Sequence, residues 1–116
     1  MRPLRPGKYR HIIYFQRKES IRNEDGEWIN DWVDYKKKFA SKTPLKADEY
    51  FSAKAINAVR TVKFNIRFDN SINENMRIVE KNNGQIKQVY EITGVIDREG
   101  LKRELEIFTE AVVSDG

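Results

Sequence analysis

The chain has 116 residues, 39% hydrophobic, 11% aromatic and 34% charged, which fits one compact domain and excludes both a second substantial core and a disordered composition. Cys is absent and His occurs once, so disulfide frameworks, thiol nucleophiles and Cys-based zinc sites are excluded and little remains for a His-based one. Net charge is +4, no apolar run approaches the roughly 18 residues of a membrane span, and the start lacks the apolar stretch of a signal peptide, so synthesis in the cytosol without membrane contact is the expectation.

Period-two alternation dominates. A first strand is expected from Tyr9 to Lys18, with His11, Ile13 and Phe15 on one face and Ile12 and Tyr14 on the other. Asn23-Glu24-Asp25-Gly26 supplies turn chemistry, because Asp-Gly accepts the positive φ of a tight hairpin. A second strand follows from Glu27 to Phe39, with Trp28 and Trp32 on one face. Between Ser41 and Val59 the pattern changes: Ala47, Phe51, Ala55 and Ala58 recur at intervals of three or four, which predicts one short helix. Ser41 or Thr43 would cap it and Pro44 would sit in its first turn.

The cleanest alternation sets Val62, Phe64, Ile66 and Phe68 against Thr61, Lys63, Asn65 and Arg67, a half-buried strand. Asn70 to Asn75 reads as a polar loop, Met76 to Lys81 as a short strand, and Asn82-Asn83-Gly84 as a turn to a partner strand starting near Lys87. There Tyr90, Ile92, Gly94 and Ile96 share a face, with Gly94 marking a bulge or bend. In the last strand Leu101, Leu105 and Ile107 alternate with Lys102, Glu104 and Glu106. The expected fold is mainly β: a small antiparallel β-barrel of about six strands in one domain, 1–116, with a short helical insertion at 41–59 between strands 2 and 3. Met1 to Gly7 and Val113 to Gly116 are expected to be flexible tails.

Charge is distributed in blocks. Residues 1–22 carry a net +6, residues 23–35 a net −5, residues 36–46 a net +5 and the remainder −2. Such alternation suits a protein that meets different charged neighbours on different faces. No phosphate-binding Gly-rich loop, nucleophile elbow or spaced set of metal ligands occurs, so neither catalysis nor a cofactor is expected. His11 lies in an alternating apolar strand and receives no catalytic role, and Asp48 and Glu49, adjacent on a presumed helix, diverge by about 100°. A basic small barrel could instead offer a cationic groove with stacking faces for single-stranded nucleic acid, in the manner of an OB-type fold, through Arg10, Tyr14, Lys63, Arg67 and Lys87.

Several strings, in order, carry a family resemblance. Tyr9-Arg10-His11-Ile12-Ile13-Tyr14-Phe15-Gln16 is followed by the Asp25-Gly26 turn and by Trp32 leading into a strand. Asp48-Glu49-Tyr50-Phe51-Ser52-Ala53 comes next, then Phe64-Asn65-Ile66-Arg67-Phe68-Asp69 with Ile72, Met76-Arg77-Ile78, Tyr90-Glu91-Ile92, and Arg98 before the final alternating strand. From about Lys8 to Val112 the chain resembles the head closure proteins, also called head-tail joining or adaptor proteins, of long-tailed bacteriophages. It departs from them at Lys46-Ala47, where the family often has a Gly, and at Lys81 to Ile86, a longer and more polar hairpin tip.

The resemblance implies a virion protein, assembled in the bacterial host cytoplasm, that forms a twelve-fold ring below the portal. There it closes the DNA-filled head and offers the surface for tail attachment. The implied partners are a portal or connector adaptor protein above, a tail-completion or tail-terminator protein below, neighbouring copies in the ring and packaged DNA, the isolated chain being a monomer. Candidates for the DNA channel are Lys36, Lys37, Lys38, Lys42, Lys46 and Lys54, and for connector contact Arg2, Arg5, Lys8 and Arg10. The OB-type alternative makes a separate prediction: the isolated chain quenches its Trp or Tyr fluorescence on binding single-stranded DNA at low salt. No quenching counts against it.

Overall fold

The computed structural model describes residues 8–45 and 61–112. Within them lie six strands and no α-helix: β1 (His11–Arg22), β2 (Trp28–Pro44), β3 (Thr61–Arg67), β4 (Arg77–Asn82), β5 (Gln85–Ile96) and β6 (Glu104–Ala111). All neighbours are antiparallel, in the order β1-β2-β3-β6-β5-β4. A short ladder between β4 and β1, Tyr14 with Val79, Phe15 with Ile78 and Gln16 with Arg77, closes the sheet into a barrel.

Alternation fills the interior. Ile13 and Phe15 of β1, Phe64 and Ile66 of β3, Ile78 of β4, Tyr90 of β5 and Leu105 and Ile107 of β6 are buried together, and Ile72 and Met76 of the β3–β4 loop join them. Phe64 meets Tyr90 edge to face, with ring centroids 5.0 Å apart at 79°.

The expected turns form by the expected chemistry. Gly26 takes φ 82° and donates its N–H to the Asn23 carbonyl, while the Asn23 side-chain oxygen accepts the N–H groups of Asp25 and Glu27. Between β4 and β5, Asn83 and Gly84 both have positive φ, 54° and 80°, as a two-residue type I′ hairpin requires.

Three expectations are corrected. First, Ser41 to Pro44 do not begin a helix: they are the end of β2, paired with Asn65 to Val62 of β3, and the Leu45 N–H extends the contact to the Thr61 carbonyl. Pro44 is tolerated because it ends the strand. The rest of the expected insertion lies outside the described residues, as do the expected tails 1–7 and 113–116. Second, the bulge at Gly94 is present, but it changes the phase of β5: register slips between Ile92 and Gly94, leaving Thr93 to bond the Phe108 carbonyl. Val95 therefore packs on the core and Ile96 is 42% exposed, the reverse of uninterrupted alternation. Third, Leu101 does not open the last strand. It is 47% exposed in a turn whose N–H groups at Gly100 and Lys102 are capped by Asp97, and β6 starts at Glu104.

β3 is also more enclosed than a half-buried strand. Thr61 and Asn65, on its polar face, are buried, and Tyr9 covers the Arg67 end of that face, bonding Glu104 and receiving the Arg67 guanidinium 5.5 Å from its ring centroid. Phe64→Ala removes the largest buried ring of β3 together with its Tyr90 contact. It should cost about 3–5 kcal/mol of unfolding free energy, read as a lower urea midpoint at unchanged slope; a loss below about 1 kcal/mol would show that this ring does not organise the core.

Candidate assembly interface

The lysine run sits where β2 has lost its second neighbour. β2 pairs with β3 only from Ser41 to Pro44, so among the described residues Lys36, Lys37 and Lys38 lie on a stretch bonded to β1 alone. The gap is bridged by side chains: Lys36 and Lys38 both reach Asp69, just beyond β3, at 2.7 and 2.8 Å. Burial alone would raise the Asp69 carboxyl, but the two ammonium groups and the Ser71 hydroxyl and N–H outweigh it and hold the group far below the usual carboxylate range. Lys37, on the opposite face, is exposed and forms no ion pair among the described residues.

Other candidate cations are similarly engaged. Lys42 bonds Glu80 at 3.0 Å, and Glu80 also accepts the Tyr90 hydroxyl at 2.8 Å. Lys8 and Tyr9 donate to one oxygen of Glu104, each at 2.6 Å. Burial would raise Glu104, yet Lys8 and Tyr9 bring it below its ordinary value; burial and then the Glu104 hydrogen bond push the Tyr9 phenol upward. Arg10 is exposed on the approach to β1. Lys46, Lys54, Arg2 and Arg5 lie outside the described residues. The structure thus gathers Lys36 and Lys38 at one acid and leaves Lys37 facing solvent.

The residues weighed for single-strand binding are not collected. Tyr14 is on β1 under the Lys81 ammonium, 4.4 Å from its ring centroid, Lys63 is on β3 bonded to Glu106 at 3.3 Å, and Lys87 is on β5. Arg67 packs over Tyr9, and none of these three strands pairs with another of the three.

A two-stranded arm is the feature that sequence reasoning missed. Above the Tyr14–Gln16 contact with β4, Arg17 to Arg22 pair with Trp28 to Val33, and among the described residues this hairpin leaves the barrel with both outer edges unpaired. Its face alternates cations and indoles: Arg22 lies 5.4 Å from the Trp28 ring centroid, Lys18 5.3 Å and Arg77 4.6 Å from that of Trp32. Trp28, near the tip, is 68% exposed, and Ile29 is exposed on the opposite face. The signal available in the sequence was strand length: twelve and seventeen residues in β1 and β2 exceed what β4, at six, can cover. An isolated hairpin with exposed Trp and Arg has the composition of a protein-binding hot spot rather than of a core element.

The ion pairs set the acid response. Asp69, Glu104, Glu106 and Asp34 all have carboxyls lowered in the folded chain, so the stability they contribute is fully present above about pH 5 and is lost as pH falls through and below the unfolded values near 4. Asp69→Asn should lower the thermal midpoint at pH 7 and flatten its fall on acidification, so that the gap between parent and variant is full above about pH 5 and narrows progressively only below about pH 4. Parallel curves would show that Asp69 is not a main contributor.

Comparison with known proteins agrees with this picture. Residues 4–112 match the phage head completion protein family. Among solved structures the chain is similar to a protein of Shigella flexneri 2a determined in solution, at 28% identity and a TM-score of 0.67, covering 92% of this chain and 96% of that one. It also shares its fold with a chain of the virion of a native gene transfer agent particle, at 16% identity and a TM-score of 0.53, covering 90% and 96%. No curated protein matches the chain. A match that runs from ahead of β1 to beyond β6 takes in every strand of the barrel and the arm, and the chain belongs to the phage head completion protein family.

Proposed function

We propose that this chain is a structural connector of the phage virion that assembles as a ring below the portal, closes the DNA-filled head and presents the surface to which the tail attaches. The observation that carries the reading is the family match over residues 4–112, which spans the whole described fold. A closed small barrel with a projecting two-stranded arm is suited to such work, since the barrel supplies rigidity and the arm supplies reach. Binding rather than turnover is the mechanism. Several copies in a ring let contacts that are weak singly hold together.

Charge assigns tasks within that reading. Lys36, Lys38 and Lys42 are engaged by Asp69 and Glu80 and act chiefly within the chain, so Lys37 is the member of the run placed to meet packaged DNA. Lys8 is likewise held by Glu104, which leaves Arg2, Arg5 and Arg10 as the connector-contact candidates that can change without breaking that pair.

Sedimentation with packaged, tailless heads tests the function directly: the chain should travel with heads and restore their competence to join tails, and a chain that ignores heads at both low and moderate salt overturns the reading. Arg2, Arg5 and Arg10 replaced together by Ser should weaken that co-sedimentation, with far-ultraviolet circular dichroism checking that the variant keeps its β-sheet content. Undiminished co-sedimentation removes the N-terminal arginines from the contact.

A further inference from the structure

At the base of the arm lies an open groove of about 410 Å³, lined by Trp32, Met76, Val89, Ile92 and Val112, with Glu74 and Glu91 among its polar residues. Its floor is apolar and its charge is acidic. Neither Glu74 nor Glu91 forms an ion pair among the described residues, whereas Arg77, also at the groove, is occupied by the Gln16 side chain at 2.8 Å and by the Trp32 ring. The groove therefore presents unspent negative charge around an aromatic and aliphatic wall.

The arm tip presents the complement. Trp28 is 68% exposed and carries the Arg22 guanidinium against its ring. Arg22 has no carboxylate partner among the described residues; its Nε donates to the Gly26 carbonyl within the turn. Trp28 stands four residues from Trp32 on the same strand, about 13 Å along the arm, too far for an indole to fold back into its own groove. Tip and groove can meet only between two molecules.

We infer that the arm tip of one copy docks in the groove at the base of the arm of a second copy, Trp28 against Trp32, Met76 and Ile92, with Arg22 facing Glu74 and Glu91. This inference rests on the reading that the chain works as an assembly of copies, and it names the contact. The committed occupant is a second copy of this chain because both halves of the match, apolar shape and opposite charge, are present on one molecule. Trp and Arg are among the residues most enriched at the centre of such contacts.

The chain has no Cys, so introduced thiols report without background. Glu27→Cys places one beside Trp28 and Asn75→Cys places one on the groove rim, both at exposed positions. The two single variants, mixed and oxidised both in concentrated solution and on packaged heads, should form a disulfide-linked pair. Glu27→Cys mixed with Gln85→Cys, on the far β4–β5 hairpin, should not. Adding Trp28→Ala to Glu27→Cys should cut the yield about 30-fold, as loss of a hot-spot aromatic does, and Arg22→Glu should cut it while Glu74→Lys with Glu91→Lys restores part of the loss. If the chain sediments with heads yet Glu27→Cys links no better to Asn75→Cys than to Gln85→Cys, the contact is wrong and the connector reading stands. Thiol capture of a different virion protein at Asn75→Cys, without copy-to-copy linkage, also overturns the inference. Absence of both linkage and head binding overturns both.

Discussion

Three residue pairs, Tyr14 with Val79, Phe15 with Ile78 and Gln16 with Arg77, join β1 to β4, and closure of the barrel depends on them. They bring the first strand against the fourth across more than sixty residues of chain and close the sheet on itself. They also define where the barrel stops. Past Gln16 there is no further β4 to pair with, so the rest of β1 and its β2 partner continue as the arm. One short ladder thus separates a buried domain from a projecting hairpin.

Where backbone pairing is missing, side-chain charge takes over. The stretch of β2 that lacks β3 is tied through Lys36 and Lys38 to Asp69, and Lys42 to Glu80 to Tyr90 ties the end of β2 across to β4 and β5. On the outer side of β3 and β6, Glu104 collects Lys8 and Tyr9, and Glu106 collects Lys63 and Arg98. Each carboxylate is more enclosed than its cations, and at Asp69, Glu104 and Glu106 the hydrogen bonds from those cations outweigh burial and hold the carboxyl below its ordinary value. A chain with 34% charged residues can in this way stay closed with a modest apolar core.

For a head completion protein this division has a use. The barrel is a closed unit, while the arm carries Trp28, Trp32 and their cations on a ribbon whose outer edges have no strand partner among the described residues. A two-stranded hairpin with exposed indoles is poorly stabilised by itself in water, and exposed aromatic surface of this kind is what an interaction site presents.

Much of the fold was legible along the chain. Alternation located the strands, Asp25-Gly26 and Asn83-Gly84 located two turns, and Gly94 located a bulge, because each of these depends on side-chain size, φ preference or a period of two within a few residues. The ordered strings from Tyr9 to Phe108 also pointed to the family that residues 4–112 match. What stayed hidden was everything set by partners distant in sequence. Whether Ser41 to Pro44 would be strand was decided by β3, whether Val95 or Ile96 would face inward was decided by the register after the bulge, and whether the Lys36 to Lys38 run would be free was decided by Asp69, thirty-three residues from Lys36. The arm was hidden for the same reason: a strand's own pattern fixes that it is a strand, while the length of its neighbours, known only once the sheet has closed, fixes which part of it is left outside.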